Sequence, residues 1–184
     1  NTYFIVVGDN GYRHEELQLQ PDLTQPLHAD KWWLWDGGIR VPMIASWPGQ
    51  IAPASESDHI SAFWDVLPTL SEVAGVDSIP QTDGISFLPT LLGKSQDQTH
   101  DYLYWEFPSY KGQQAVRMGK WKGIRKNIFD GNMTLELYNL ETDPREQENV
   151  AEQHPEIVKQ IEEIMIEAHT PAELERFKIS QLGD

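Results

Sequence analysis

Between Tyr102 and Leu140 the chain carries four short strand-like runs, Tyr102–Phe107, Gln114–Met118, Trp121–Arg125 and Leu135–Leu140, parted by Gly, Asn and Pro signals. Such a succession reads as an antiparallel meander and predicts a small sheet. Pro155 then opens a helical pattern in which Ile157, Ile161, Ile164 and Ala168 recur at helical spacing, with Glu156, Glu162 and Glu163 on the outer side. The stripe predicts a C-terminal helix covering one face of that sheet.

The first half has a different character. Tyr3-Phe4-Ile5-Val6-Val7 is an apolar run that reads as a buried strand of a parallel sheet, ended by Gly8-Asp9-Asn10-Gly11. Polar side chains just past the carboxyl end of such a strand occupy the usual ligand position of open α/β folds. Residues 12–36 form a long loop, and residues 39–47 return to a strand pattern closed by Pro48-Gly49. The cluster Trp32, Trp33 and Trp35 argues that the loop is ordered and builds a site. Residues 61–76 predict a helix capped by Asp65, with Leu67, Leu70 and Val73 sharing the face that packs on the sheet. Residues 77–100, with Pro80, Gly84, Pro89 and Gly93, read as a connector. The expected organisation is therefore an α/β portion over residues 1–99 and a small α+β subdomain over 100–184.

Composition limits the partners. With 29 acidic against 14 basic residues, the net charge of −15 argues against nucleic-acid or anionic-membrane binding, both of which need a basic face. Any anionic substrate must meet positive charge locally. The chain has no Cys, which removes disulfides, thiolate metal sites and a Cys nucleophile. No apolar run approaches the ~18 residues of a membrane span. Because the sequence opens at Asn1-Thr2 without a signal peptide or an initiating Met, it is expected to be part of a longer chain whose N-terminal part is missing.

Two places offer chemistry. Asp9 and Asn10 present adjacent hard oxygen donors suited to Ca²⁺, or less well to Mg²⁺, although Asp-Asn-Gly is equally a turn sequence. Lys31 precedes Trp32-Trp33-Leu34-Trp35-Asp36-Gly37-Gly38, where close backbone approach and aromatic surroundings would sharpen its attraction for an anion. A lone lysine is otherwise a solvated charge and a tryptophan cluster is otherwise core. Arg13, His14, His28 and Trp32 are further candidates for substrate contact, each with an exposed loop or a core position as the plainer reading.

Taken in order, Gly8-Asp9-Asn10-Gly11, Lys31, Asp36-Gly37-Gly38-Ile39-Arg40-Val41-Pro42, Trp47-Pro48-Gly49, Asp65-Val66-Leu67-Pro68-Thr69-Leu70, Asp83-Gly84-Ile85-Ser86, Leu91-Leu92-Gly93-Lys94, Arg117-Met118-Gly119-Lys120-Trp121-Lys122 and Leu137-Tyr138-Asn139-Leu140-Glu141-Thr142-Asp143-Pro144-Arg145-Glu146 resemble the second half of the formylglycine-dependent sulfatases. The resemblance implies part of an alkaline phosphatase-like α/β sandwich, followed by a small antiparallel sheet with a C-terminal helix. It implies Ca²⁺ ligation by Asp9 and Asn10 and sulfate contact by Lys31. It also implies hydrolysis of sulfate esters, with sulfated carbohydrates the expected class and the indoles of Trp32, Trp33 and Trp35 as stacking surfaces. The family's Cys/Ser-x-Pro-Ser-Arg nucleophile motif has no counterpart here, so this polypeptide alone is expected to be inactive and to bind Ca²⁺ poorly. Export to the periplasm or outside the cell is the family's common destination. The alternatives are a phosphomonoester or phosphonate hydrolase of the same superfamily and a noncatalytic carbohydrate-binding or interaction module.

Overall fold

The computed structural model describes residues 2–13, 27–76 and 78–184. Its elements are, in chain order, β1 (Phe4–Val7), α1 (Asp36–Ile39), β2 (Met43–Ser46), α2 (Val66–Val73), α3 (Leu88–Leu91), β3 (Leu103–Phe107), β4 (Gln113–Met118), β5 (Trp121–Lys126), β6 (Leu135–Asn139) and α4 (Pro155–Ala168), with short 3-10 turns between them. They form two compact units, residues 2–7 with 42–101, and the described part of 8–41 with 102–184.

In the first unit β1 pairs antiparallel with β2, Phe4 opposite Ser46 and Val7 opposite Met43. This corrects the expectation of a buried strand in a parallel sheet. Among the described residues β2 is the partner of β1, and Phe4 and Val6 keep 59% and 50% of their surface exposed. An apolar run shows that both faces of a strand are suited to burial, but the strands that pair with it are set elsewhere in the chain. The expected strand over residues 39–47 is also shorter, because Asp36–Ile39 closes a helical turn first.

The helix expected over 61–76 forms as a 3-10 turn, Phe63–Asp65, leading into α2. Asp65 makes no side-chain cap at α2 itself; its side chain closes back on Ala62 at the start of the preceding 3-10 turn. Its buried carboxylate accepts the Ala62 N–H at 2.7 Å, and also the Ile85 N–H at 2.8 Å, and meets His100 Nε2 at 2.8 Å. The buried side of α2 is Pro68 and Thr69, while Leu67 and Leu70 stay largely exposed. Thr69 decides this: its hydroxyl donates to Asp65 O at 2.7 Å and accepts the Phe87 N–H at 3.0 Å, docking the segment before α3 on that side.

In the second unit the four expected strands form the antiparallel sheet β3-β4-β5-β6, with Trp105, Ala115, Ile124 and Glu136 in register. Side chains alternate between faces with period two. Ala115, Ile124 and Tyr138 pack against Leu34 and Trp35. Val116, Leu135 and Leu137 pack on the other face against Ile161 and Met165 of α4, so the helix covers one face of the sheet as expected, with Met165 joining Ile161 of the expected stripe. Each such fully buried aliphatic side chain contributes on the order of 1.5–3 kcal/mol of transfer free energy. The sheet therefore carries the helix on one face and the residue 27–41 segment on the other.

Candidate functional site

Asp9 and Asn10 follow β1 in the chain and are both exposed. Their local geometry is that of a turn, the Asn10 N–H donating to Asp9 Oδ1 at 2.9 Å. The next residues anchor it. The Gly11 N–H donates to Gly38 O at 2.8 Å and the Lys31 N–H donates to Tyr12 O at 3.0 Å, while the Tyr12 hydroxyl donates to Leu27 O at 3.0 Å. Burial, with the nearby Asp30 carboxylate, raises the Tyr12 pKa above its ordinary value and keeps this donor protonated. Glycine is required at these approaches: a Cβ on Gly11 would lie 1.7 Å from Gly37 O, and one on Gly38 would lie 1.9 Å from Trp33 O.

Lys31 sits at the start of a turn organised by Asp30, whose side chain accepts the Trp32 N–H at 3.1 Å and whose carbonyl accepts the Trp33 N–H at 3.0 Å. Its Nζ lies 4.6 Å from the centroid of the Trp32 ring, within cation–π range. The turn is clamped from the sheet by Gln113, a buried residue of β4: Oε1 accepts the Leu34 N–H at 3.2 Å and Nε2 donates to Trp32 O at 3.0 Å.

Below the turn lies a buried ionic triad. Lys122 of β5 has a side chain with no exposed surface; its Nζ is 2.6 Å from Asp36 Oδ1 and 2.9 Å from Glu146 Oε1. Glu146 Oε2 also accepts the Asp36 N–H at 2.7 Å. Burial pushes the Glu146 carboxyl pKa up and the Lys122 ammonium works against that rise. Taking three charges out of water costs several kcal/mol per ion, repaid only by close geometry and full hydrogen bonding. The arrangement fixes Asp36, and with it the Gly37-Gly38 backbone that meets Gly11.

The remaining candidates are placed as follows. His28 stacks on Trp35 at 4.7 Å with an interplanar angle of 7°, and its Nδ1 is 2.7 Å from Glu146 O. Arg13 is exposed, and His14 lies outside the described residues. Trp32 is partly exposed, whereas Trp35 is buried with Leu34 in the sheet-facing core, so Trp35 offers no stacking surface. Sequence reading did not single out Gln113, Lys122 or Glu146. One signal was available for Lys122: in Trp121-Lys122-Gly123-Ile124 it shares the inward face with Ile124, where an unpaired lysine would not be tolerated.

The donors at Asp9 and Asn10 match the hardness that Ca²⁺ or Mg²⁺ prefers, but Ca²⁺ takes ~6–8 oxygens. Among the described residues no group of three or more His, Cys, Asp or Glu side chains is placed to hold a metal ion. The two residues thus fit such an ion in kind and by themselves fall short of its coordination number. No helix of the described residues is long and apolar enough to cross a membrane.

The chain resembles known proteins over most of its length. It is 30% identical over 187 residues to an ulvan-active sulfatase of Formosa agariphila, an alignment covering 82% of this chain and 33% of that protein. The solved structure of a 2-O GAG sulfatase superposes with a TM-score of 0.70 at 25% identity, covering 91% of this chain and 36% of the other. The phosphonate monoester hydrolase of Agrobacterium radiobacter, at 21% identity, shares the fold alone, with a TM-score of 0.59 over 73% of this chain and 30% of the other. The chain thus spans about a third of the length of the sulfatases it matches. Residues 27–171 match the family model described as N-sulphoglucosamine sulphohydrolase, C-terminal, a stretch that takes in the Lys31 turn, the ionic triad, the small sheet and α4. With relatives and fold in agreement, the chain belongs to this family, as the C-terminal portion of a sulfatase of the alkaline phosphatase-like superfamily.

Proposed function

We propose that this chain supplies the metal- and sulfate-facing part of a sulfate ester hydrolase that acts on sulfated carbohydrates. One observation carries the reading: the main-chain bond from the Lys31 N–H to Tyr12 O at 3.0 Å, which joins the Asp9-Asn10 turn and the lysine in one hydrogen-bonded layer. In this reading Asp9 and Asn10 hold Ca²⁺, or less favourably Mg²⁺, through their side-chain oxygens. A bound ion there supplies Lewis-acid polarisation and orients the sulfate oxygens. Lys31 presents its ammonium to a sulfate oxygen and stabilises the charge that develops as the bond from sulfur to the alcohol oxygen breaks. In a chain of net charge −15 this local positive field is what attracts an anionic substrate.

Arg13, His28 and Trp32, with His14 from the sequence alone, are assigned to substrate contact. With no Cys and no Cys/Ser-x-Pro-Ser-Arg motif in the sequence, the nucleophile comes from polypeptide outside these 184 residues, and the chain alone turns over no sulfate ester and binds Ca²⁺ weakly. The family's usual export supports a location in the periplasm or outside the cell as part of this reading.

The test uses the full-length polypeptide. Lys31→Ala is expected to lower kcat on an aryl sulfate by ~10²–10³, the loss typical of one removed donor at developing charge. Wild-type kcat/KM in that variant would sink the assignment, as would sulfate ester turnover by the isolated 184-residue chain. The fold shared with a phosphonate monoester hydrolase supports a second reading, hydrolysis of phosphonate monoesters. A tenfold or greater preference for such a substrate over the aryl sulfate would favour it. Binding of sulfated saccharide without Ca²⁺ and without turnover would favour a noncatalytic module.

A further inference from the structure

Beside Lys31 stands an aromatic pair drawn from two distant parts of the chain. Trp32 and Tyr110 stack with ring centroids 5.3 Å apart at an interplanar angle of 30°, and Trp33 adds a tilted contact to Tyr110 at 5.9 Å. Both members of the pair are open to solvent, Trp32 at 38% and Tyr110 at 46%. Solvated aromatic pairs of this size are costly surface to leave bare, since aromatic side chains are those whose burial is most favourable.

Tyr110 reaches this position through strained backbone. In the turn joining β3 to β4, Tyr110 has φ +50° and Lys111 has φ +69°, and Gly112 follows at +75°. A non-glycine residue in the left-handed region is uncommon, and a bulky aromatic one more so. Such strain persists where the surroundings impose it and clusters at ligand-binding places. Here the surroundings are visible: the Phe129 N–H donates to Lys111 O at 2.9 Å, the Ile128 N–H donates to Gly112 O at 3.2 Å, and Lys111 Nζ is 2.7 Å from Asp130 Oδ2. Gln113, next in the chain, holds the Trp32 and Leu34 backbone through its amide. The hairpin and the Lys31 turn are therefore locked together, with the two rings at their junction.

The charge pattern selects the ligand. The Lys111 ammonium is matched by Asp130, while the Lys31 ammonium lies 4.6 Å from the Trp32 ring centroid. An occupant must therefore combine an anionic group with an apolar face of about one ring. A sulfated pyranose has both, its C–H face for the aromatic surface and its sulfate for the ammonium. We infer that Trp32 and Tyr110 form a platform for a sugar ring of a sulfated saccharide, with Tyr110, from the β3–β4 hairpin, as a specificity-determining residue next to Lys31. The inference rests on the reading of Lys31 as the sulfate-facing residue.

The test is a titration of the full-length polypeptide with a sulfated disaccharide, following the indole N–H signal of Trp32, beside turnover of the same disaccharide and of a small aryl sulfate. Tyr110→Ala is expected to weaken disaccharide binding and raise its KM about five- to tenfold, the range of an aromatic contact, while aryl sulfate turnover stays at wild-type level. Tyr110→Phe is expected to restore both disaccharide values, which separates stacking from the phenol hydroxyl. Trp32→Ala, at a ring that also lies against Lys31, serves as a second variant and is expected to raise the disaccharide KM over the same range. Unchanged disaccharide affinity in Tyr110→Ala, an equal loss on both substrates, or failure of the wild type to bind the disaccharide would each overturn the platform. Tyr110-dependent binding by a wild type that turns over no sulfate ester would uphold the platform and sink the sulfatase reading instead.

Discussion

Replacing Lys122 by Met tests whether the buried triad holds the Lys31 segment. The side chains of Lys122 and Glu146 have no exposed surface and that of Asp36 has 4%. Met preserves most of the volume, so packing changes little, but two carboxylates 2.6 and 2.9 Å from the lost ammonium then face each other without a counterion. Arg40, 3.7 Å from Asp36 Oδ2 and mostly exposed, is a weak substitute. Breaking a buried pair by removing one partner costs about 3–5 kcal/mol, a large share of the ~5–15 kcal/mol that stabilises a typical domain. In urea unfolding followed by tryptophan fluorescence, an m-value of ~2 kcal/mol/M turns this into a midpoint lowered by ~1.5–2.5 M.

The variant also acquires a pH dependence whose sign follows from Glu146. Burial already raises its folded pKa, and Lys122 holds that rise in check. Without Lys122 the folded pKa climbs further above the unfolded value of ~4.3. The folded state then binds more protons than the unfolded state, so stability falls as pH rises from ~4.3 through the folded pKa and levels off above it. The gap to wild type should thus widen over that window. A triple variant, Lys122→Met with Asp36→Asn and Glu146→Gln, removes the stranded charges and should recover most of the loss. A single variant within about 1 kcal/mol of wild type at pH 7 would refute the reasoning, as would a triple variant no better than the single.

Other consequences follow from the same geometry. Gln113→Ala strands the Leu34 N–H and Trp32 O beneath the Lys31 turn and is expected to cost ~1–3 kcal/mol, read as faster amide exchange at Leu34; unchanged protection there would contradict the clamp. Gly11→Ala places a Cβ 1.7 Å from Gly37 O and is expected to detach the Asp9–Tyr12 segment, seen as loss of exchange protection at Lys31 with the sheet amides unaffected. His169 is 2.9 Å from both Glu106 and Asp184; burial lowers its pKa, but the two carboxylates outweigh that and raise it overall. Its contribution to stability is thus full below the unfolded value of ~6.5 and is lost as pH rises through the higher folded pKa. His169→Ala should flatten the fall of the thermal midpoint over that window, and an identical pH profile in both proteins would rule the pairing out as its cause.

Much of the small sheet and its helix was legible in the sequence. The four strands lie within a residue or two of the runs read from alternation and turn signals, and α4 buries Ile161 of the expected stripe, with Ile157 and Ile164 packed beside it and Met165 buried in addition. Those signals are local: turn chemistry and side-chain period depend on residues a few positions apart. The motif order likewise pointed to the sulfatases from linear spacing. The apolar run of β1 does not specify its antiparallel partner β2 or its exposed face, because both depend on the rest of the sheet, and no local signal shows that the Asp65 carboxylate, besides closing on Ala62, also serves Ile85 and His100.

What only the tertiary structure decided is the company each charged and aromatic residue keeps. Lys122 meets Asp36 across 86 positions, Glu146 meets Asp36 across 110, and Gln113 reaches Trp32 across 81. No local pattern encodes such contacts, because they arise when the alternation of a sheet is laid against a separate loop. Asp9, Asn10 and Lys31 could be named from the sequence as a turn and a lysine of the right types. That Gly11 and Tyr12, directly after that turn, bond to Gly38 and Lys31, on a segment carried by a buried ionic triad, follows from packing, where the cost of burying charge is offset only by partners that the fold brings within hydrogen-bonding distance.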